Sequence, residues 1–279
     1  MTPQQLASEV ENLFSLPEIY FRISETIDHP KSTIDDVAKI VSQDPNISAR
    51  ILKISNSSFF GVATEIETLT RAVSIMGLSH LHDLVLAVSA TKAFIGIDKS
   101  LVDMKSFWLH SVYCAAITQL MARQCNILDS ERLFVAGILH DIGHLVIYTR
   151  LSTHVPDLLN RAKQEQIPLE VLEREMLGFD YADVGGELLK SWKLPTSLYQ
   201  TIQHHTNLKQ DNPFILDSSI VHLANIMVLQ DESKKTGYIA PNFNPLAFQQ
   251  TGLVEEDLKS IKIEARTNMA DILRLLFAN

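Results

Sequence analysis

Basic residues are in short supply in this sequence: 24 lysines and arginines stand against 33 aspartates and glutamates, a formal net charge of −9. Duplex binding depends on cations that neutralise phosphates, so nucleic acid is not expected as a partner. Cysteine is scarcer still. Cys114 and Cys125 lack C-x-x-C spacing and are too few for a disulfide framework, which points to a reducing cytoplasm. No run approaches the roughly 20 apolar residues that span a bilayer. Residues 1–10 lack a basic stretch leading into an apolar core, so a soluble, unexported protein is expected. Only ten glycines and ten prolines break the chain, and no sustained apolar/polar alternation demands a sheet. At 46% hydrophobic and 20% charged, what remains is an all-α globular chain, long enough for one large domain or two lobes.

The helical period runs through most of it. Thr33 with Asp36 resembles a capping box ahead of the apolar stripe Ile34, Val37, Ala38 and Val41. Asp44-Pro45 restarts the chain as a cap followed by a first-turn proline, and Asn56-Ser57-Ser58 with Gly61 ends that helix. Two helical runs, 69–76 and 78–94, meet at Gly77. A glycine turn between short helices can belong to a DNA-reading motif, but residues 78–88 contain no lysine or arginine, so a packed hairpin is expected. Further helices are expected over 107–123, 130–150, 158–177, 182–192, 195–205, 213–229 and 255–277, with a loop over 236–245.

Chemistry concentrates at four separated spots. His140-Asp141 follows the apolar run 133–139; His110 lies on the helix after Trp108; His204-His205 closes the helix 195–205; and His222 and Asn225 share Val221-His-Leu-Ala-Asn225. Imidazole and carboxylate together suit iron, manganese, zinc or nickel. Each spot alone is weak: one histidine on an amphipathic helix is more often bonded to a carbonyl than to a metal, and adjacent histidines meet one site only where a helix ends. His29, His80, His82, His144 and His154 are given no role.

Together the segments resemble the HDOD family, the regulatory branch of the HD superfamily of metal-dependent phosphohydrolases, over about residues 15–230. The resemblance rests on Leu16-Pro17, Gln43-Asp-Pro-Asn-Ile-Ser-Ala-Arg-Ile-Leu52, Ser55-Asn-Ser-Ser-Phe-Phe-Gly61 and Ala72-Val-Ser-Ile-Met-Gly-Leu78. It continues through Phe107-Trp-Leu-His-Ser111, Gly137-Ile-Leu-His-Asp-Ile-Gly-His144, Trp192-Lys-Leu-Pro195 and Ile202-Gln-His-His205. It implies an HD-domain-like helical bundle (99–230) with an additional N-terminal helical lobe (1–98), then a C-terminal loop and closing helix (231–279), and a ligand cleft between the lobes.

The resemblance also implies metal ligands: His110, His140 and Asp141, then His204, His205 and Asn225. Two positions depart from the hydrolase pattern, with Tyr181 where related sequences commonly place histidine and Asn225 where catalytic members use aspartate. Asparagine brings no charge to a cation, and a phenol titrates near pH 10. No Gly-Tyr-Pro motif follows His205. The expectation is a bacterial signal-transduction module that binds a signalling protein or small ligand and holds at most one divalent ion. The alternative is a phosphohydrolase of nucleotides or cyclic dinucleotides in which Asp141 serves catalysis. A metal-free protein with Asp141 paired to His110 or His140 is the third reading.

Overall fold

The computed structural model describes residues 1–10, 13–56, 66–94, 97–98 and 101–277, apart from the side chains of Ile54 and 268–277. The Ser55 to Gly61 motif, from residue 57 on, and the expected helix end there lie outside the described residues. Everything regular among the described residues is helix, in agreement with the all-α expectation. No single described helix is long and apolar enough to cross a membrane.

The chain divides into two compact units, Phe14–Ile95 with Arg266–Asn279 and Met1–Leu13 with Gly96–Ala265. The first holds α2 (Glu18–Asp28), α3 (Ile34–Val41), α4 (Pro45–Ser55), α5 (Leu69–Met76) and α6 (Leu78–Ala93). Local chemistry sets these boundaries. Thr33 and Asp36 form the full capping box, and Asp44 Oδ1 accepts from the backbone of Asn46 and Ile47 at 2.9 and 3.0 Å, starting α4. Gly77 takes φ +84° between α5 and α6, a conformation that favours glycine. Buried Ile23, Val37, Val41, Ile47, Ile51, Val73 and Leu81 form the core of this unit.

The other unit contains α1 (Pro3–Val10), α7 (Met104–Gln124), α8 (Ser130–Leu139), α9 (Ile142–Arg150), α10 (Val155–Glu165), α11 (Leu169–Leu177) and α12 (Tyr181–Ser191). It continues with α13 (Thr196–His204), α14 (Ile215–Thr236), α15 (Pro245–Thr251) and the start of α16 (Glu255–Phe277). Helix α1 packs on α9 and α12, with Glu9 bonded to Arg150.

Two expected helices are broken. The run 130–150 divides into α8 and α9 at His140-Asp141, and 158–177 divides at Gln166, which adopts φ +53° ahead of Pro168. The helix expected to stop at 229 continues to Thr236 and ends on left-handed Gly237. Helix α15 begins at Asn244-Pro245, at the end of the expected loop.

Two glycines permit the contacts that build the site. A Cβ at Gly137 would stand 2.4 Å from the Ala115 Cα, so α8 lies directly on α7; one at Gly143 would stand 1.9 Å from the Tyr181 carbonyl oxygen, so α9 lies directly on α12. His110 and His140 face each other across the first contact, and Tyr181 approaches Asp141 through the second.

Candidate metal centre

His140 is the C-cap of α8 and Asp141 the N-cap of α9. The helix break therefore turns both side chains inward, where a continuous helix would splay neighbours 100° apart. His110 Nε2 lies 3.2 Å from His140 Nε2 and 3.2 Å from Asp141 Oδ2, and His140 Nε2 lies 3.2 Å from Asp141 Oδ1. Ligand atoms bound to one ion at about 2.1 Å with angles of about 90–109° are about 3.0–3.4 Å apart, so this triangle has the size of one face of a coordination shell.

Hydrogen bonding fixes which atoms face the centre. The Gly137 carbonyl can only accept, so His140 Nδ1 donates to it at 2.8 Å and its neutral ring turns a lone pair inward at Nε2. Glu232 Oε2 lies 3.0 Å from His110 Nδ1, which donates to the carboxylate and likewise leaves Nε2 facing in. Two lone pairs and a carboxylate thus converge in a buried space and require a cation or a proton between them. This observation fits the donor set to a divalent ion. Without one, the proton sits on His110: burial works against its charge, but Asp141 and Glu232 outweigh it and hold this imidazole up to about 9. Burial pushes Asp141 up as well, yet His140 and His110 outweigh it and bring the carboxyl down to about 2.

His205, the C-cap of α13, is fully buried and donates from Nδ1 to the Ile202 carbonyl at 2.6 Å. Its Nε2 lies 3.1 Å from the Tyr181 hydroxyl, and burial, reinforced by His140, brings it down to about 3. Asn225, on α14, donates from Nδ2 to the Tyr181 oxygen at 2.8 Å; its side chain raises the proton affinity of both His110 and His140, while its buried Oδ1 has no hydrogen-bond partner. Helix α12 begins at Tyr181 because Asp180 caps it, held in turn by Arg174 at 2.8 Å and Thr206 at 2.7 Å.

The structure thus brings together His110, His140, Asp141, His205 and Asn225. His204 is only partly buried, and no cluster of candidate ligands among the described residues includes it. His222 is used on both sides: Nδ1 donates to the His205 carbonyl at 2.8 Å, and Nε2 accepts from the Asn244 amide at 2.9 Å. It braces His205 from behind. Two residues at the centre carry no role in the sequence reading. Glu232 lies in the polar run 230–236, beyond the expected helix end, and is seven residues, two turns, from Asn225 on α14. His144 stacks on Tyr181 with ring centroids 3.9 Å apart and lies 3.2 Å from fully buried Glu173, whose charge outweighs burial and raises its proton affinity. The spacing from Asp141 to His144, one helical turn, is the signal that could have found it.

A cavity of about 530 Å³ opens beside the centre, lined by Tyr181, His205, Asn225, Arg174 and Asn242 among others. A smaller one, about 110 Å³, reaches Asp141 and His144. Both are lined by Glu170, whose carboxyl burial pushes up to about 7, with Glu173 and Asp180 adding to the shift. A carboxyl whose proton affinity rises on folding contributes stability below its unfolded value of 4.5 and loses it as pH rises through about 7. Glu170→Gln removes that loss. The variant is expected to gain about 1–2 kcal/mol over the parent at pH 8, after allowance for partial exposure, and nothing at pH 4.5. Urea melts at the two pH values check this, and equal gains at both would refute the assignment.

Comparison with known proteins places this geometry in a family. The HDOD domain matches residues 13–208. An uncharacterised protein of Treponema pallidum (strain Nichols) is 26% identical over 207 residues, 73% of this chain. The chain covers only 39% of that relative's length. A Shewanella amazonensis SB2B structure described as a putative phosphohydrolase is 26% identical, with 98% of each chain covered and a TM-score of 0.74. A Marinobacter aquaeolei VT8 structure described as a putative signal transduction protein is 21% identical, with 94% of this chain and 58% of that one covered and a TM-score of 0.71; at that identity it supports the fold. With the matched domain running from just ahead of α2 through His140-Asp141 and past His205, the chain belongs to the HDOD family.

Proposed function

We propose that this HDOD chain is a bacterial signal-transduction module that works by binding: it holds one divalent transition ion at His110, His140 and Asp141 and receives a small ligand or a signalling protein next to it. The observation that carries the reading is the convergence of two imidazole lone pairs and a carboxylate, each held in place by an outer partner, with Asn225 Oδ1 unpaired beside them. An ion bound there would supply Lewis-acid polarisation of a ligand oxygen. The chain's own groups do the remaining work. Glu232 and the Gly137 carbonyl fix the two imidazoles, and the 530 Å³ cavity offers a ligand amides, a guanidinium and a phenol.

Two observations favour a second reading, a metal-dependent phosphohydrolase. The smaller cavity has Asp141 in its lining, and the Shewanella structure described as a putative phosphohydrolase aligns with nearly the whole chain. The readings separate when the protein is purified without chelator, its metal content measured, and phosphodiesters and nucleotides offered with added manganese or iron. Binding without chemistry is expected to give about one equivalent of metal and no turnover above background. Metal-dependent turnover would establish the hydrolase reading, and a metal-free protein that takes up neither ion would remove both.

A further inference from the structure

We propose that the wall shared by the two cavities binds a small organic ammonium ion, a protonated primary amine, and disfavours anions; this rests on the small-ligand reading above. Glu170, Tyr181 and Asn225 are the three residues that line both cavities. The hydroxyl hydrogen of Tyr181 is already committed. His205 Nδ1 donates to the Ile202 carbonyl, so its neutral ring has a lone pair at Nε2, and the Tyr181 hydroxyl donates to it at 3.1 Å. The phenol oxygen in turn accepts from Asn225 Nδ2 at 2.8 Å, which leaves Asn225 Oδ1 buried and without a hydrogen-bond partner. The shared wall therefore presents two acceptors to a ligand, the Glu170 carboxylate and the Asn225 carbonyl. A ligand that satisfies both brings N–H donors and positive charge.

The charges around the cavities agree. Arg174 is met by Asp180 at 2.8 Å and Asp183 at 3.1 Å, and His144 faces buried Glu173 at 3.2 Å. Burial lowers the proton affinity of His205 and His222. At the centre, the carboxylates of Asp141 and Glu232 balance one divalent ion. Glu170 is left over: it is partly buried and forms no ion pair among the described residues. A carboxylate in that place carries a desolvation cost that a bound cation offsets, whereas a phosphate would add charge of the same sign. Val171, Ile226 and Pro241 in the larger cavity, with Leu169 and Ile239 in the smaller, supply apolar surface for the carbon chain of an amine.

The test is calorimetry on the full chain at pH 8, above the value of about 7 to which the Glu170 carboxyl is pushed, with butylamine, 1-butanol and inorganic phosphate as probes at equal ionic strength. Butylamine is expected to bind about tenfold or more tighter than 1-butanol, which has the same chain without the charge, and phosphate is expected not to bind. Glu170→Gln is expected to lose about tenfold or more in butylamine affinity while its ligand-free melt shifts upward. An acid with a structural role alone would give the upward shift and leave the affinity unchanged. Unchanged affinity in that variant, butylamine no tighter than 1-butanol, or phosphate tighter than either would overturn the inference and leave the small-ligand reading standing. The comparison of probes on the parent decides the matter if the variant does not fold. Binding of none of the three would overturn the inference and the small-ligand reading together, leaving a signalling protein as what the chain receives.

Discussion

Gly143→Ala is expected to destabilise the protein by about 3 kcal/mol or more, the upper end of overpacking. The new Cβ would lie 1.9 Å from the Tyr181 carbonyl oxygen and 2.7 Å from the Gly185 amide nitrogen. Both obstacles are backbone, on a helix whose start is fixed by the Asp180 cap, so no side chain can rotate out of the way. Alanine in a helix gains about 0.5–1 kcal/mol over glycine, far too little to offset the clash. Gly185→Ala is the control on the facing helix. Its Cβ would meet nothing closer than 3.4 Å, so that variant is expected to be neutral or slightly more stable. Urea melts of the two variants decide the point, and a Gly143→Ala midpoint close to the parent's would show that α9 and α12 can separate at little cost.

Where a boundary is set by a few neighbouring residues, the sequence makes it legible. The Thr33–Asp36 box, the Asp44 cap and the turn at Gly77 depend on contacts within three residues, and all three stand in the structure. The break between α8 and α9 is of another kind. Residues 133–139 and 145–147 are apolar and buried, and no proline marks a stop; the helix ends because His140 turns back to the Gly137 carbonyl while Gly143 seats α9 against α12. Those causes are tertiary. Two other misreadings had signals available: Pro168 disfavours helix in the residue before it, and Asn244-Pro245 repeats the start that Asp44-Pro45 makes.

The site divides in the same way. Histidine and aspartate types at 110, 140, 141 and 205 can be picked out from the chain, but their tautomers cannot, because those depend on carbonyls and carboxylates that folding brings to the far ring nitrogen. Glu232 illustrates the limit. In Gln230-Asp-Glu-Ser-Lys-Lys235 a solvated helix end and a loop have the same composition, and only packing of α14 on α7 makes one of the acids the partner of His110.

Asp141→Ala is expected to have the largest effect of any side-chain truncation at this centre, and its two parts can be read separately. Metal affinity should fall more than 100-fold, since an outer partner of a ligand alone is worth 10–100-fold and Asp141 is the anionic member of the triangle itself. The metal-free protein should also lose about 3–5 kcal/mol, because a buried charge keeps its desolvation cost when its counterion is removed. The sign with pH follows from the two partners. Asp141 is held down to about 2 from 3.8, so its contribution is present above 3.8 and lost as pH falls to about 2. His110 is held up to about 9 from 6.5, so its contribution is full below 6.5 and lost as pH rises through about 9. Between 4 and 6.5 both are present, and there the gap between parent and Asp141→Ala should be widest, narrowing toward pH 9 as the His110 proton leaves. Melts in chelator across that range measure the gap. A constant difference from pH 5 to pH 9 would mean that Asp141 stabilises the fold by packing alone and that no proton stands in the place a metal ion would take.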